Sequence, residues 1–193
     1  MVSRNQLAYA FDSDRTDLEG DPADVLGGKG QSLAVMTAAG LPVPPGFTLT
    51  TAACRTFLAR GWSDELERSI REQLARLEQT TGKQLGSSTA PLLVSVRSGA
   101  AVSMPGMMDT VLNAGMNADV ERALADLCGD PVFAADTHRR ALLGYAEIVL
   151  GAPREVLANA AGGADPAEVA AILSFDGFDV PNDPLTQIER AVR

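Results

Sequence analysis

The sequence predicts an α+β protein in two parts, a mixed α/β segment over residues 1–116 and a mostly helical segment over residues 117–193. Three observations support this prediction. Short apolar runs bounded by proline or glycine alternate with helical patterns in the first part. Apolar residues recur at helical spacing in the second part. The length of 193 residues fits one domain or two small subdomains.

The composition disfavours several classes of protein. The chain has 16 Lys and Arg against 25 Asp and Glu, a net charge of −9, which disfavours a nucleic-acid binder. No run of about 20 apolar residues predicts a membrane span, and acidic residues near the start disfavour a signal peptide. Cys54 and Cys128 stand far apart, which fits a reducing compartment. We therefore expect a cytoplasmic protein with no nucleic-acid or membrane partner.

Local signals place the elements of the first part. The pattern predicts, in chain order, a glycine turn and helix within 23–40, a strand at 46–50, helices at 51–61 and 63–81, and a buried strand at 92–98. Gly40 and Gly61 stand where helix-ending residues are expected, and Thr50 or Thr51 can cap the second helix. The helix at 63–81 has the clearest apolar stripe, which consists of Leu66, Ile70, Leu74 and Leu77.

The second part is predicted to be helical. Residues 117–128 and 130–151 have the strongest patterns, and an Asp-Pro pair opens the second of them. Residues 152–180 are rich in Ala and Gly, so that a short helix at 166–174 and otherwise loop are expected. The apolar faces consist of Val120, Leu124 and Leu127 on the first helix and of Phe133, Ala141, Tyr145 and Ile148 on the second.

The segment from Gly27 to Gly30 is the first candidate binding site. Its glycines permit positive φ and leave backbone amides unshielded, and amides at the start of a helix can bind phosphate oxygens. Lys29 adds a positive charge to this segment. The spacing differs from the P-loop pattern GxxxxGK[ST], so the alternative is a solvated lysine in a helix-start turn.

Arg97 ends the last predicted strand of the first part and is the second candidate. Strand alternation places Arg97 on the face opposite Val94 and Val96. A guanidinium in an apolar strand is costly unless it is paired. A phosphate that binds it bidentately is one suitable partner, and a structural salt bridge to one of the 25 acidic residues is the other.

Residues 103–110 combine paired methionines with glycine in a segment without helical period. Methionines in a loop can form an adaptable surface for a flat base or a protein partner. The alternative is that Met107 and Met108 fill the edge of an apolar core.

His138 and the later acidic residues are weaker candidates. His138, the chain's one histidine, lies in a predicted helix beside two arginines, and no GxSxG-like context suggests a catalytic base. A surface or cap-side histidine is therefore expected. A solvated acidic face accounts for Asp176, Asp179 and Asp183.

Two long stretches of the chain are LGGKGQSLAVMTAAGLPVPPGFTLTTAAC and PLLVSVRSGAAVSMPGMMDTVLNAGMN. Both resemble the nucleotide-binding segment of the pyruvate, phosphate dikinase family, to which phosphoenolpyruvate synthases and rifampicin phosphotransferases are related. The SMPGMMDT segment points to the dikinases, and two shorter likenesses are DPVFAADTHRRALL and VPNDPLTQIERAV. The resemblance is strongest over 22–54 and 91–117, and it implies a partial nucleotide-binding domain of the ATP-grasp type.

The resemblance implies a set of ATP-binding residues. Lys29 corresponds to the family's lysine that binds nucleotide phosphates, and Arg97 corresponds to its arginine that contacts ATP phosphates. A loop that lies over the nucleotide in the family corresponds to Gly106, Met107, Met108, Asp109 and Thr110. The resemblance also implies Mg²⁺ for the full-length family, with its acidic ligands on a later subdomain that this chain does not contain.

The family enzyme is several times longer, with its carrier histidine and pyruvate site in later domains, and His138 matches neither context. We therefore expect an N-terminal segment of a dikinase-like phosphotransferase, which contributes part of an ATP site to phosphoryl transfer towards a carrier histidine and finally pyruvate. Such a segment is expected to be inactive alone and to act with a complementing C-terminal dikinase polypeptide. The alternatives are a non-catalytic nucleotide-binding or regulatory module and a degenerate remnant of the enzyme.

Overall fold

The computed structural model describes residues 7–11, 21–98 and 109–193. Its elements are, in chain order, β1 (Ala8–Ala10), α1 (Pro22–Ala38), β2 (Phe47–Leu49), α2 (Thr51–Arg60), α3 (Asp64–Thr81), β3 (Gln84–Leu85), β4 (Pro91–Leu92), β5 (Val94–Arg97), β6 (Thr110–Ala114), α4 (Ala118–Cys128), α5 (Pro131–Ile148), α6 (Arg154–Ala161), α7 (Pro166–Phe175) and α8 (Pro184–Val192). Helices and small two-stranded sheets confirm the predicted α+β class. Within the described ranges, no helix is both long enough and apolar enough to span a membrane.

The described residues divide into two compact units, the first up to Thr81 and the second from Gly82 onwards. This division differs from the boundary predicted at residue 117. Strands β5 and β6 precede residue 117, but they pack with α5 and α8 and are therefore in the second unit. The change of composition at 117 coincides with the start of a region in which every described element is a helix.

The first unit follows the local signals closely. β1 pairs antiparallel with β2, and α3 packs against β1. The predicted stripe of α3 is buried, and Ile70 at its centre is 0% exposed. Thr50 caps α2 by accepting a hydrogen bond from the Ala53 amide at 3.3 Å. Gly40 ends α1 with a positive φ of 74°, as predicted, because glycine adopts that conformation without steric cost.

In the second unit, α5 packs against α4, α6, α7 and β6. One buried cluster joins α5 to the two helices that follow it and consists of Leu142, Ala146, Ala152, Ala160, Val169 and Leu173. The helix α6 corrects the prediction of a loop before residue 166. It has no side-chain cap, but Ala160 is completely buried, so tertiary packing rather than local signals stabilises it.

The buried faces of α4 and α5 lie to one side of the predicted faces. Leu127 and Phe133 are 63% and 51% exposed, respectively, although both were expected on the apolar faces. The buried residues of α5 are Ala134, His138, Leu142, Tyr145 and Ala146. Small and polar residues occupy part of this inner face, which is why the apolar pattern alone misplaced it.

Candidate functional site

The Gly27–Gly30 segment lies inside helix α1 rather than before it. Asp21 caps the helix by accepting a hydrogen bond from the Ala23 amide at 2.9 Å, and Pro22 occupies the first turn. Gly27 then leaves the helical conformation, with φ 69° and ψ 172°. This region of backbone space is essentially restricted to glycine. The glycine therefore breaks α1, and a second helical run begins at Gly28.

The start of α2 is hydrogen-bonded to this break in α1. The Thr51 hydroxyl donates to the Asp24 carbonyl at 2.6 Å. In an uninterrupted α-helix that carbonyl would accept from the amide of Gly28. Lys29 lies in the first turn after the break and is partly buried. The break thus places the lysine and neighbouring amides at the beginning of a helical run, where the helix dipole favours an anion.

Gly30 has a packing role that the sequence analysis missed. A Cβ atom at this position would lie 2.8 Å from the Leu26 Cβ and 3.1 Å from the Thr48 side chain. The absence of a side chain therefore allows α1 to approach β2 closely. The contact with Thr48 joins two different elements, so the residues around Gly30 alone did not predict it.

Arg97 is the last residue of β5 and is exposed. Val94 and Val96 are partly buried while Ser95 is exposed, so the predicted alternation is confirmed. Arg97 occupies the outward position that this alternation predicts, on the face opposite Val94 and Val96. Among the described residues, no acidic side chain forms an ion pair with it, so the salt-bridge alternative gains no support there.

Two residues of the predicted nucleotide loop, Asp109 and Thr110, lie at the start of β6, opposite the end of β5 that carries Arg97. Thr110 is the first residue of β6 and pairs directly with Arg97 across the hairpin. Asp109 precedes it and is exposed. The remaining predicted loop residues, Gly106, Met107 and Met108, lie outside the described residues.

His138 is buried, not at the surface or in a cap as predicted. It is 8% exposed, and its Nδ1 lies 2.6 Å from Oε2 of Glu121 on α4. The histidine therefore holds α4 to α5 at their interface. The cleft that it lines with Tyr145 and Gln187 has a volume of about 10 Å³, which is room for about one water molecule and not for a nucleotide.

Gln187 on α8 is the centre of a buried polar network that the sequence analysis did not identify. The residue is 4% exposed, and its side-chain amide bonds to three backbone groups. The Tyr145 hydroxyl donates to its backbone carbonyl at 3.1 Å. Burial raises the pKa of Tyr145 from its ordinary 10.0 to about 12, and the positive charge of Arg190 opposes the increase. The sequence offered one signal for this network, namely a glutamine on the inner face of the amphipathic helix α8.

The acidic residues of the described ranges have structural or solvated positions. Asp183 caps α8 by accepting a hydrogen bond from the Thr186 amide at 2.8 Å, so it is more than part of a solvated face. Asp176 and Asp179 are exposed, as expected. No group of three or more His, Cys, Asp or Glu side chains in the described part of the chain is arranged to hold a metal ion. These residues therefore do not fit a Mg²⁺ site by themselves.

Comparison with known proteins finds a family match over the residues that include the α1 break. Residues 23–77 match the family described as pyruvate phosphate dikinase, AMP/ATP-binding domain. The chain is 47% identical over 150 residues to the pyruvate, phosphate dikinase of Rhizobium meliloti strain 1021, with 77% of this chain and 17% of that enzyme covered. It is 45% identical over 155 residues to that of Rickettsia prowazekii, with 79% and 18% covered.

The dikinase of Clostridium symbiosum is 46% identical over 133 residues, with 68% of this chain and 15% of that enzyme covered. The chain thus spans about one sixth of the length of the curated relatives it matches. It is similar to a segment of the dikinases over most of its own length. The part of the chain that matches the family described as pyruvate phosphate dikinase, AMP/ATP-binding domain, is residues 23–77.

Proposed function

We propose that this chain contributes part of the ATP-binding site of a pyruvate, phosphate dikinase-like phosphotransferase. The observation that carries the proposal is the glycine-only break at Gly27, which begins a helical run at the Lys29 segment. This break lies within the residues that match an AMP/ATP-binding domain. Unshielded amides at a helix start, together with a lysine charge, form a suitable set of phosphate ligands.

Arg97 is proposed as a second phosphate ligand in the other unit. It is exposed at the end of β5, so its planar guanidinium is accessible to two phosphate oxygens. Its strand partner Thr110 and the preceding Asp109 are proposed to lie near the nucleotide, together with Gly106, Met107 and Met108. Lys29 and Arg97 belong to different units.

The finer reaction is also a proposal. ATP bound here would donate a phosphoryl group towards a carrier histidine and finally to pyruvate, giving phosphoenolpyruvate. His138 is a poor candidate for the carrier, because it is buried and its Nδ1 is hydrogen-bonded to Glu121. A polypeptide of these 193 residues is therefore proposed to bind ATP without forming product unless a complementing dikinase polypeptide supplies the carrier.

Calorimetric titration of the chain with ATP, with and without Mg²⁺, tests the phosphate ligands. We expect Lys29→Ala and Arg97→Ala each to weaken ATP binding by about tenfold or more, because a charge-assisted contact to a group of this kind contributes roughly 1.5–3 kcal/mol. The matched controls are Lys83→Ala, which changes the only other lysine, and Arg154→Ala at the start of α6. Equal affinities in all four variants would contradict the assigned site.

A coupled assay for phosphoenolpyruvate tests the finer proposal. The purified chain, supplied with pyruvate, ATP and phosphate, is expected to give no product, whereas addition of the downstream dikinase polypeptide is expected to restore it. Product from the pure chain alone would show that a group within these residues acts as the phosphoryl carrier.

A further inference from the structure

We propose that Gln187 is a positioning residue for Arg97, because its side chain holds the β5–β6 hairpin in the register that presents the arginine. The inference rests on the proposed phosphate role of Arg97. It concerns only the second unit, which contains the hairpin, α5 and α8. No direct contact between Gln187 and the nucleotide is part of it.

The side-chain amide of Gln187 forms three hydrogen bonds, all of them to backbone groups. Its Oε1 accepts from the Gly115 amide at 2.8 Å, immediately after β6 ends. Its Nε2 donates to the Met116 carbonyl at 2.8 Å and to the Pro181 carbonyl at 2.7 Å. One side chain thus joins the end of β6 to the segment before α8. Because the bonds to Gly115 and Met116 are buried, losing either leaves a buried polar backbone group without this partner.

The point of attachment matters because β6 contains a bulge. Val94 pairs with Ala114 and Val96 pairs with Val111, so β6 has one more residue than β5 between these pairs. Asn113, in the bulged segment, has a φ of 54°, which is uncommon for a residue other than glycine. A bulge of this kind can shift, and a shift of one residue moves every following side chain to the other face.

Gln187 lies immediately beyond the bulge and can prevent this shift. Its hydrogen bonds fix the backbone of Gly115 and Met116. Because Ala114 directly precedes Gly115, its pairing with Val94 is fixed as well. The opposite end of the same hairpin pairs Arg97 with Thr110. The register set at the Gln187 end therefore determines on which face Arg97 emerges.

Close packing and Tyr145 hold the anchor itself. A Cβ atom on Gly115 would lie 3.0 Å from the Leu85 Cδ1 and 3.2 Å from the Leu92 carbonyl, so this backbone has little room to move. The Tyr145 hydroxyl on α5 donates to the Gln187 carbonyl. The hairpin end is thus joined to α8 by the glutamine side chain, and α8 is joined to α5 by the tyrosine.

The test uses the full chain and compares Gln187→Met with Leu173→Ala. Methionine keeps the length and bulk of glutamine but forms none of its hydrogen bonds. Leu173, which is 0% exposed in the α5–α7 cluster, supplies a destabilising control away from the hairpin. We expect Gln187→Met to weaken ATP binding by about tenfold, as Arg97→Ala does, because a shifted register would no longer present the arginine, and Leu173→Ala to leave the affinity unchanged.

A spectroscopic measurement separates positioning from stability. The Nε–Hε signal of Arg97 in ¹⁵N NMR spectra is expected to shift on addition of ATP in the unaltered chain and in Leu173→Ala, but not in Gln187→Met. Amides of β6 are expected to exchange with deuterium about tenfold faster in Gln187→Met than in the control. Should Gln187→Met not fold, Gln187→Asn keeps the amide but shortens its reach, and the same comparison applies.

The outcomes distinguish this inference from the proposed function. An unaltered chain that binds no ATP would overturn both. ATP binding that is weakened in Arg97→Ala but is the same in Gln187→Met as in Leu173→Ala would overturn the positioning role alone. An Arg97 signal that shifts equally in all three chains would also contradict it.

Discussion

The two proposed phosphate ligands are held by different kinds of structure. Lys29 depends on a local arrangement, in which one glycine breaks α1 and one hydrogen bond from the start of α2 reaches the break. Arg97 depends on a hairpin whose other end is anchored by Gln187, 72 residues beyond Gly115. The first region should therefore be most sensitive to changes at its own glycine, and the second to changes far away in sequence.

Removal of the distant anchor is expected to have the largest effect on stability. Gln187→Met removes the partner of the buried Gly115 amide and of the buried Met116 carbonyl, and each such loss costs roughly 1–3 kcal/mol. We expect the free energy of unfolding to fall by about 3 kcal/mol in urea titrations. Gln79→Met, an exposed position on α3, is the matched control and should change it by less than about 0.5 kcal/mol. A similar small change at both positions would show that the network does not stabilise the second unit.

Substitution at the break in α1 is expected to have the next largest effect on stability. Gly27→Ala places a Cβ atom in a backbone conformation restricted essentially to glycine, at a cost of about 2 kcal/mol. ATP affinity should fall with it, because relief of the strain would continue α1 as an uninterrupted helix. Thermal unfolding and calorimetry measure the two effects.

The control for Gly27 is another glycine within a helix. A Cβ atom added to Gly144 in α5 would enter open space, and this glycine has no positive φ. Gly144→Ala should therefore raise the stability by about 0.5–1 kcal/mol. If Gly27→Ala and Gly144→Ala were equally stable, the backbone at position 27 would accommodate an alanine without strain.

The same contrast explains what could be predicted from the sequence. The α3 stripe around Ile70, the Thr50 cap and the glycine end at Gly40 were predicted correctly, since their signals lie within a few residues. The burial of His138 and Gln187 was not predicted, because their partners come from distant segments. At the candidate site, the sequence indicated Lys29 and Arg97 but not the anchor that holds the hairpin.

High pH provides a third comparison, because it acts on α5 next to the anchor. The pKa of Tyr145 rises from 10.0 to about 12 on folding, mainly through burial. The folded state therefore keeps the phenolic proton more tightly, and this stabilisation is complete below pH 10 and is lost as the pH rises through 12. We expect stability to fall by about 1.4 kcal/mol between pH 9 and pH 11 from this group.

Tyr145→Phe is the control for this pH dependence. It loses the hydrogen bond to the Gln187 carbonyl, which should cost about 1 kcal/mol at neutral pH. Its stability should then depend less steeply on pH above 10 than that of the unaltered chain. The free energy of unfolding is measured by chemical denaturation at pH 9, 10 and 11. If it fell equally with pH in both chains, the folded state would not hold the Tyr145 proton more tightly than the unfolded state does.

The smallest effect is expected at the N-terminal cap of α8. Asp183→Ala removes the acceptor for the Thr186 amide one residue before Gln187, at a cost of about 1 kcal/mol. Asp176→Ala, at an exposed position just after α7, is the matched control and should change the stability by less than about 0.5 kcal/mol. If cap and anchor act together, Asp183→Ala in a Gln187→Met background should cost clearly less than it does alone, because the first turn of α8 would already be loosened. If the losses in free energy of unfolding of the two variants were strictly additive, Gln187 would hold the hairpin whether or not the first turn of α8 is ordered.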